Sequence, residues 1–89
     1  MKRKFKVLVV DDTEINVELL TDILKDFRYE TISANDGMEA IATVAANKPD
    51  LILLDINMPR MDGYEVCRQL KSNPETRAIP IVIVTALQD

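Results

Sequence analysis

The sequence predicts an α/β fold built on a parallel sheet. Three observations lead there. Short apolar runs rich in β-branched residues alternate with longer stretches of helical periodicity. The alternation gives the order β-α-β-α-β-α-β, and each apolar run stops at an acid, a turn cluster or a hydroxyl residue. Strands separated by helices of roughly ten to fifteen residues are the pattern of parallel strands joined by crossovers, with helices on both faces. Right-handed crossovers then set the hand of each unit.

The elements follow in chain order. Phe5 to Val10 (FKVLVV) is the first strand, broken by Asp11-Asp12. Thr13 to Phe27 places Ile15, Leu19, Ile23 and Phe27, joined by Leu20 and Leu24, on one wide face with period 3.6. That face is expected to be buried, and the side chain of Asp12 or Thr13 to cap the helix. Glu30 to Ala34 is a short second strand, closed by Asn35-Asp36-Gly37. Met38 to Asn47 is a second helix, with Met38, Ile41, Ala42, Val44 and Ala45 as apolar contacts and Pro49 as its stop. Leu51 to Leu54 is apolar throughout, as a strand covered on both faces would be, and ends at Asp55. An irregular stretch containing Pro59 and Gly63 precedes a third helix, Tyr64 to Ser72, inward-facing at Val66, Cys67 and Leu70. Pro80 introduces a fourth strand, Ile81 to Thr85.

Composition narrows the function classes. The chain has 89 residues, 47% apolar and 29% charged, enough for one domain with a core and not the composition of a disordered tail. A chain of this size buries only roughly 60–65% of its unfolded surface. No apolar run reaches the ~18–20 residues of a membrane span, and the basic-then-apolar start lacks a cleavage site, so a cytoplasmic location is expected. Cys67 is the single cysteine and there is no histidine, which excludes Cys/His zinc sites and His-dependent catalysis within one chain. Net charge is −4, with Lys2, Arg3, Lys4 and Lys6 gathered at the start. An acidic remainder without a basic stripe disfavours nucleic-acid binding.

The strand ends carry the chemistry. Asp11 and Asp12 follow the first strand and Asp55 ends the third. In a parallel sheet the C-terminal ends of all strands share one edge, where ligands bind. If the first and third strands are neighbours, these acids converge, and clustered carboxylates raise each other's pKa unless a cation intervenes. A hard divalent cation such as Mg²⁺ suits an all-oxygen set. A single strand-end Asp is ordinarily a cap or a solvated turn; an Asp-Asp pair after one apolar strand and a third Asp after another favour the cation site. Thr85 would project its hydroxyl from the same edge, and Ala86 leaves space beside it. Asn57 can offer its main-chain carbonyl, while Met58, Pro59 and Gly63 shape the loop that holds it.

Three stretches, VLVVDD at 7–12, LILLDINMPRMDGYEV at 51–66 and IPIVIVTA at 79–86, stand in one order and spacing. Through them the chain resembles the receiver domain of two-component response regulators from about Phe5 onward. The combination carries the resemblance; DD or MDG alone would not. The resemblance implies that Asp55 is the phosphoacceptor, that Asp11 and Asp12 hold Mg²⁺ with Asp55 and the Asn57 main-chain oxygen, and that the Thr85 hydroxyl moves toward the phosphoryl group. It implies phosphorelay signalling, with a sensor histidine kinase or histidine phosphotransfer protein as partner and the first helix as docking area. The opening DDTEINVELL also looks like receivers attached to cyclic-dinucleotide synthases or found in hybrid kinases.

The same resemblance implies a flavodoxin-like, doubly wound sheet, here incomplete, of order 2-1-3-4 with three helices. Residues 1–89 are then the N-terminal portion of a receiver. The family's lysine at the end of a fifth strand has no counterpart here, so phosphotransfer is expected to be impaired, and the strand at 81–85 is left open to self-association. Two other readings stand beside this one. A receiver-like scaffold could serve only as a binding or assembly module. A metal-dependent phosphatase of similar topology would require an acid two residues beyond the nucleophile, where Asn57 stands.

Overall fold

The structure, a computed structural model, describes residues 4–58 and 60–84. Its elements are β1 (Lys6–Val10), α1 (Glu14–Asp26), β2 (Glu30–Ala34), α2 (Gly37–Asn47), β3 (Leu51–Asp55), α3 (Gly63–Ser72) and β4 (Ile81–Val84). The strands form one parallel sheet in the order β2-β1-β3-β4. This is the flavodoxin-like arrangement of four strands and three helices expected from the sequence. The chain steps outward from β1 to β2 and then back across β1 to β3, so the order reverses between β1 and β3. In register, Val10 stands between Ala34 and Leu54, and Asp55 pairs with Val84.

Alternation along the strands divides the core. Leu8 and Val10 of β1 and Ile52 and Leu54 of β3 are buried with Ala40 and Val44 of α2 and Val66 and Leu70 of α3. Val7 and Val9 point to the opposite face, where α1 lies, and are equally buried. Each such side chain contributes about 1.5–3 kcal/mol through removal from water. Helices α2 and α3 begin at well-made caps. Asp36 Oδ1 accepts from Glu39 N at 2.8 Å, and Glu39 Oε1 reaches past the N-cap to accept from Asn35 N at 2.8 Å. Asp62 Oδ1 accepts from Glu65 N at 3.0 Å. Lys48, in the left-handed region at φ 47°, ends α2 just before Pro49.

Several expectations need correction. The face of α1 expected to be buried is mostly in water: Ile15, Leu19, Ile23 and Phe27 are 71, 52, 47 and 68% exposed, and only Val17, Leu20 and Leu24 lean on the sheet. The periodicity was a true helix signal, but a single helix covers this side among the described residues and buries only its inner flank. For the same reason β3 is not covered on both faces: Ile52 and Leu54 are buried, Leu51 and Leu53 only half-buried. In α2 the contacts come from Ala40 and Val44 with half-buried Ile41, whereas Met38, Ala42 and Ala45 are exposed. Thr13 occupies the N-cap of α1 but its side chain makes no capping bond. The expected strand end at Thr85 lies outside the described residues.

Candidate functional site

The site is assembled by strand ends. The Asp11 main-chain N–H donates to Ala34 O at 3.2 Å, which carries the β1–β2 ladder one residue past the strand and fixes the Asp11 backbone. Because β1 and β3 are adjacent, Asp55 arrives beside it. One carboxylate oxygen from each of Asp11, Asp12 and Asp55 lies within 4.8 Å of the others. Asp11 is buried at 4% exposure, Asp55 half-buried, and Asp12 open to solvent. The sequence-based convergence of these three residues is what the fold produces.

Electrostatics follow from that convergence. Burial, then the negative charge of Asp11 and, less strongly, of Asp12, push the Asp55 carboxyl above its ordinary value. The main-chain N–H groups of Asn57 and Ile56 donate to it and pull the other way. Asp55 is thus oriented by its own following loop and crowded by the acids of β1. Three carboxylates with no nitrogen or sulfur among them make a hard, all-oxygen donor set, the chemistry that suits Mg²⁺.

The β3–α3 loop holds this arrangement by close backbone approach. Gly63 N donates to Ile56 O at 2.9 Å, and Met58 N to the same oxygen at 3.1 Å. A Cβ on Gly63 would stand 2.5 Å from Asp55 O and 2.8 Å from Ile56 Cα, so only glycine lets α3 start this close to the end of β3. Met58 is buried in the core cluster, which anchors the loop from below. Asn57 is exposed. Arg60 takes a left-handed conformation at φ 68° and reaches Asp36 at 3.9 Å, an exposed ion pair of little energetic weight. Pro59, Thr85 and Ala86 lie outside the described residues.

One contact was not foreseen. Asn16 Nδ2 donates to Asp11 Oδ2 at 3.2 Å, and Thr13 N donates to Asp11 Oδ1 at 2.9 Å. The available signal was a polar amide in the first helical turn, flanked by Ile15 and Val17.

A family profile described as the response regulator receiver domain matches residues 7–89. The chain belongs to the response regulator receiver domain family. That span starts within β1 and takes in Asp11, Asp12, Asp55 and Asn57. The chain is 54% identical over 82 residues to the response regulator PleD of Caulobacter vibrioides, which covers 92% of this chain but 18% of PleD. Among solved receivers, the N-terminal domain of a response regulator receiver protein from Methanoculleus marisnigri JR1 superimposes with TM-score 0.90 at 39% identity, over 94% of this chain and 68% of that one. The phosphorylated cyanobacterial phytochrome response regulator RcpA does so with TM-score 0.85 at 34% identity, over 98% of this chain and 69% of its own.

Proposed function

We propose that this receiver accepts a phosphoryl group on Asp55 in a phosphorelay, assisted by Mg²⁺ held at Asp11, Asp12 and Asp55 with the Asn57 main-chain oxygen. The observation that carries this reading is the meeting of the three carboxylates at the β1–β3 switch point. When bound, the cation neutralises the clustered carboxylates and draws charge from the transferring phosphoryl oxygens.

The chain's own residues do the rest. The Asp55 carboxylate, aimed by the N–H groups of Ile56 and Asn57, attacks phosphorus. A P–O bond forms as the P–N bond to the donor imidazole breaks, and the imidazole leaves with the bonding pair and takes up a proton. The product is an acyl phosphate on Asp55. Residues 1–89 hold no histidine, so the donor imidazole lies outside them, on a sensor histidine kinase or a histidine phosphotransfer protein. Catalysis is then mostly alignment and charge neutralisation. Exposed Ile15, Leu19 and Ile23, running beside Glu14, Glu18 and Asp22, support α1 as the docking face. Strand β4 pairs only with β3 among the described residues, which supports self-association through residues 81–85 as a further contact.

Intact-mass measurement after incubation with Mg²⁺ and acetyl phosphate tests the chemistry. The expected result is one added phosphoryl group, removed by hydroxylamine and absent from Asp55→Asn. Stoichiometric label on Asp55→Asn, or repeated turnover of phosphoesters without a labelled chain, overturns the assignment. Comparing a phosphohistidine donor with the small one reads the docking face separately.

A further inference from the structure

Asp11 is the most enclosed member of the acidic cluster, and its side chain is held at both oxygens. Thr13 N donates to Oδ1 at 2.9 Å and Asn16 Nδ2 to Oδ2 at 3.2 Å. With the backbone fixed by the bond from Asp11 N to Ala34 O, the two side-chain torsions, about Cα–Cβ and Cβ–Cγ, make up the remaining freedom. A donor on each oxygen removes it and decides which oxygen faces Asp12 and Asp55. Of the two donors, one is main chain and does not depend on any side chain. Asn16 is the side chain that completes the clamp.

The choice of residue at this point of the helix is informative. Asn16 is the third residue of α1 counted from the Thr13 N-cap. Glu or Gln is favoured there, because it can reach back to the N-cap N–H and an acid also complements the helix dipole. Helices α2 and α3 follow that preference with Glu39 and Glu65. In α1 the N-cap N–H is already taken by Asp11, and a carboxylate at this point would be a fourth negative group beside three. A short neutral amide supplies a donor, adds no charge, and reaches back over the helix start because helical side chains lean toward the N-terminus.

We infer that Asn16 is a positioning residue for the acidic site, setting the Asp11 carboxylate in the orientation that receives the divalent cation. The inference rests on the proposed Mg²⁺ site and adds a residue to it. Partners of this kind fix a ligand's rotamer before the ion arrives, and their loss typically lowers metal affinity by about 10–100-fold.

Calorimetric titration of the intact chain with Mg²⁺ tests it, alongside thermal melts in chelator. Asn16→Ala is expected to bind Mg²⁺ about tenfold more weakly, at the low end of that range because the Thr13 donor remains. Its metal-free melting temperature should be unchanged or higher, since Ala is the better helix former. Asn16→Leu, branched at the same position but without a donor, should weaken binding to a similar degree. Asn16→Gln, which keeps the amide, should lose less. Wild-type affinity in both Ala and Leu variants overturns the inference while leaving the metal site standing. A wild-type chain with no saturable Mg²⁺ binding overturns the metal reading itself.

Discussion

The Asp55 carboxyl is pushed upward by burial and by Asp11 and Asp12, and this has a defined sign for stability. A carboxyl whose folded-state pKa is raised favours the fold only while protonated. Its contribution is fully present below the ordinary carboxylate value and is lost as pH rises through the raised one. Ionised Asp55 therefore costs stability at neutral pH in the absence of a cation. Asp55→Asn should raise the urea midpoint at neutral pH in chelator, and the gain should close as pH falls through the carboxylate range; an equal gain at both ends would contradict the electrostatic cause. Gly63 is constrained by space. Gly63→Ala must displace the Asp55–Ile56 backbone that its Cβ would meet at 2.5 Å, and should cost about 1–3 kcal/mol in urea denaturation together with a loss of labelling at Asp55. The three acids were legible as strand-end residues because a parallel sheet forces all such ends to one edge. Asn16 was not, since a hydrogen bond to a residue five positions earlier depends on how the chain turns between β1 and α1.

At the level of elements, periodicity and apolar runs identified the helices and strands among the described residues, yet they could not say which faces are covered. The row Ile15, Leu19, Ile23, Phe27 has the spacing of a buried stripe, but burial depends on what lies opposite, and that is a property of the assembled layers. The two faces of the sheet therefore respond differently to truncation. Leu8→Ala, in the cluster under α2 and α3, should cost about 2–5 kcal/mol. Leu19→Ala, half in water already, should stay within about 0.5 kcal/mol on the same denaturation assay. In α2 the short Ala40 and Gly37 allow close packing: a Cβ on Gly37 would stand 2.8 Å from a Val66 methyl and 2.9 Å from Met61 sulfur. This explains why an alanine-rich helix was the right sequence for a tight layer even though the individual alanines were assigned to the wrong side.

For the whole molecule, the chain covers 68–69% of the two solved receivers compared, and its described part is a sheet with β4 on one edge. Val82 on that strand is 47% exposed, and the α1 row adds further apolar surface. The 89-residue chain should sediment with a weight-average mass that rises with concentration. Val82→Lys should bring it back toward monomer; strict monomer behaviour at high concentration would remove the edge contact. The shared direction of the four strands has one more consequence. Each strand is preceded by a cation within a few residues (Lys4, Arg28, Lys48 and Arg77), whereas β1 and β2 are followed by Asp11 and Asp36 and β3 ends in Asp55. Strand polarity thereby gathers negative charge at the C-terminal edge, while the opposite edge is mixed, with Glu30 and Asp50 beside its cations. Such a molecule turns in an approaching partner's field before contact, an orienting torque that fades once ionic strength shortens the Debye length to about 8 Å.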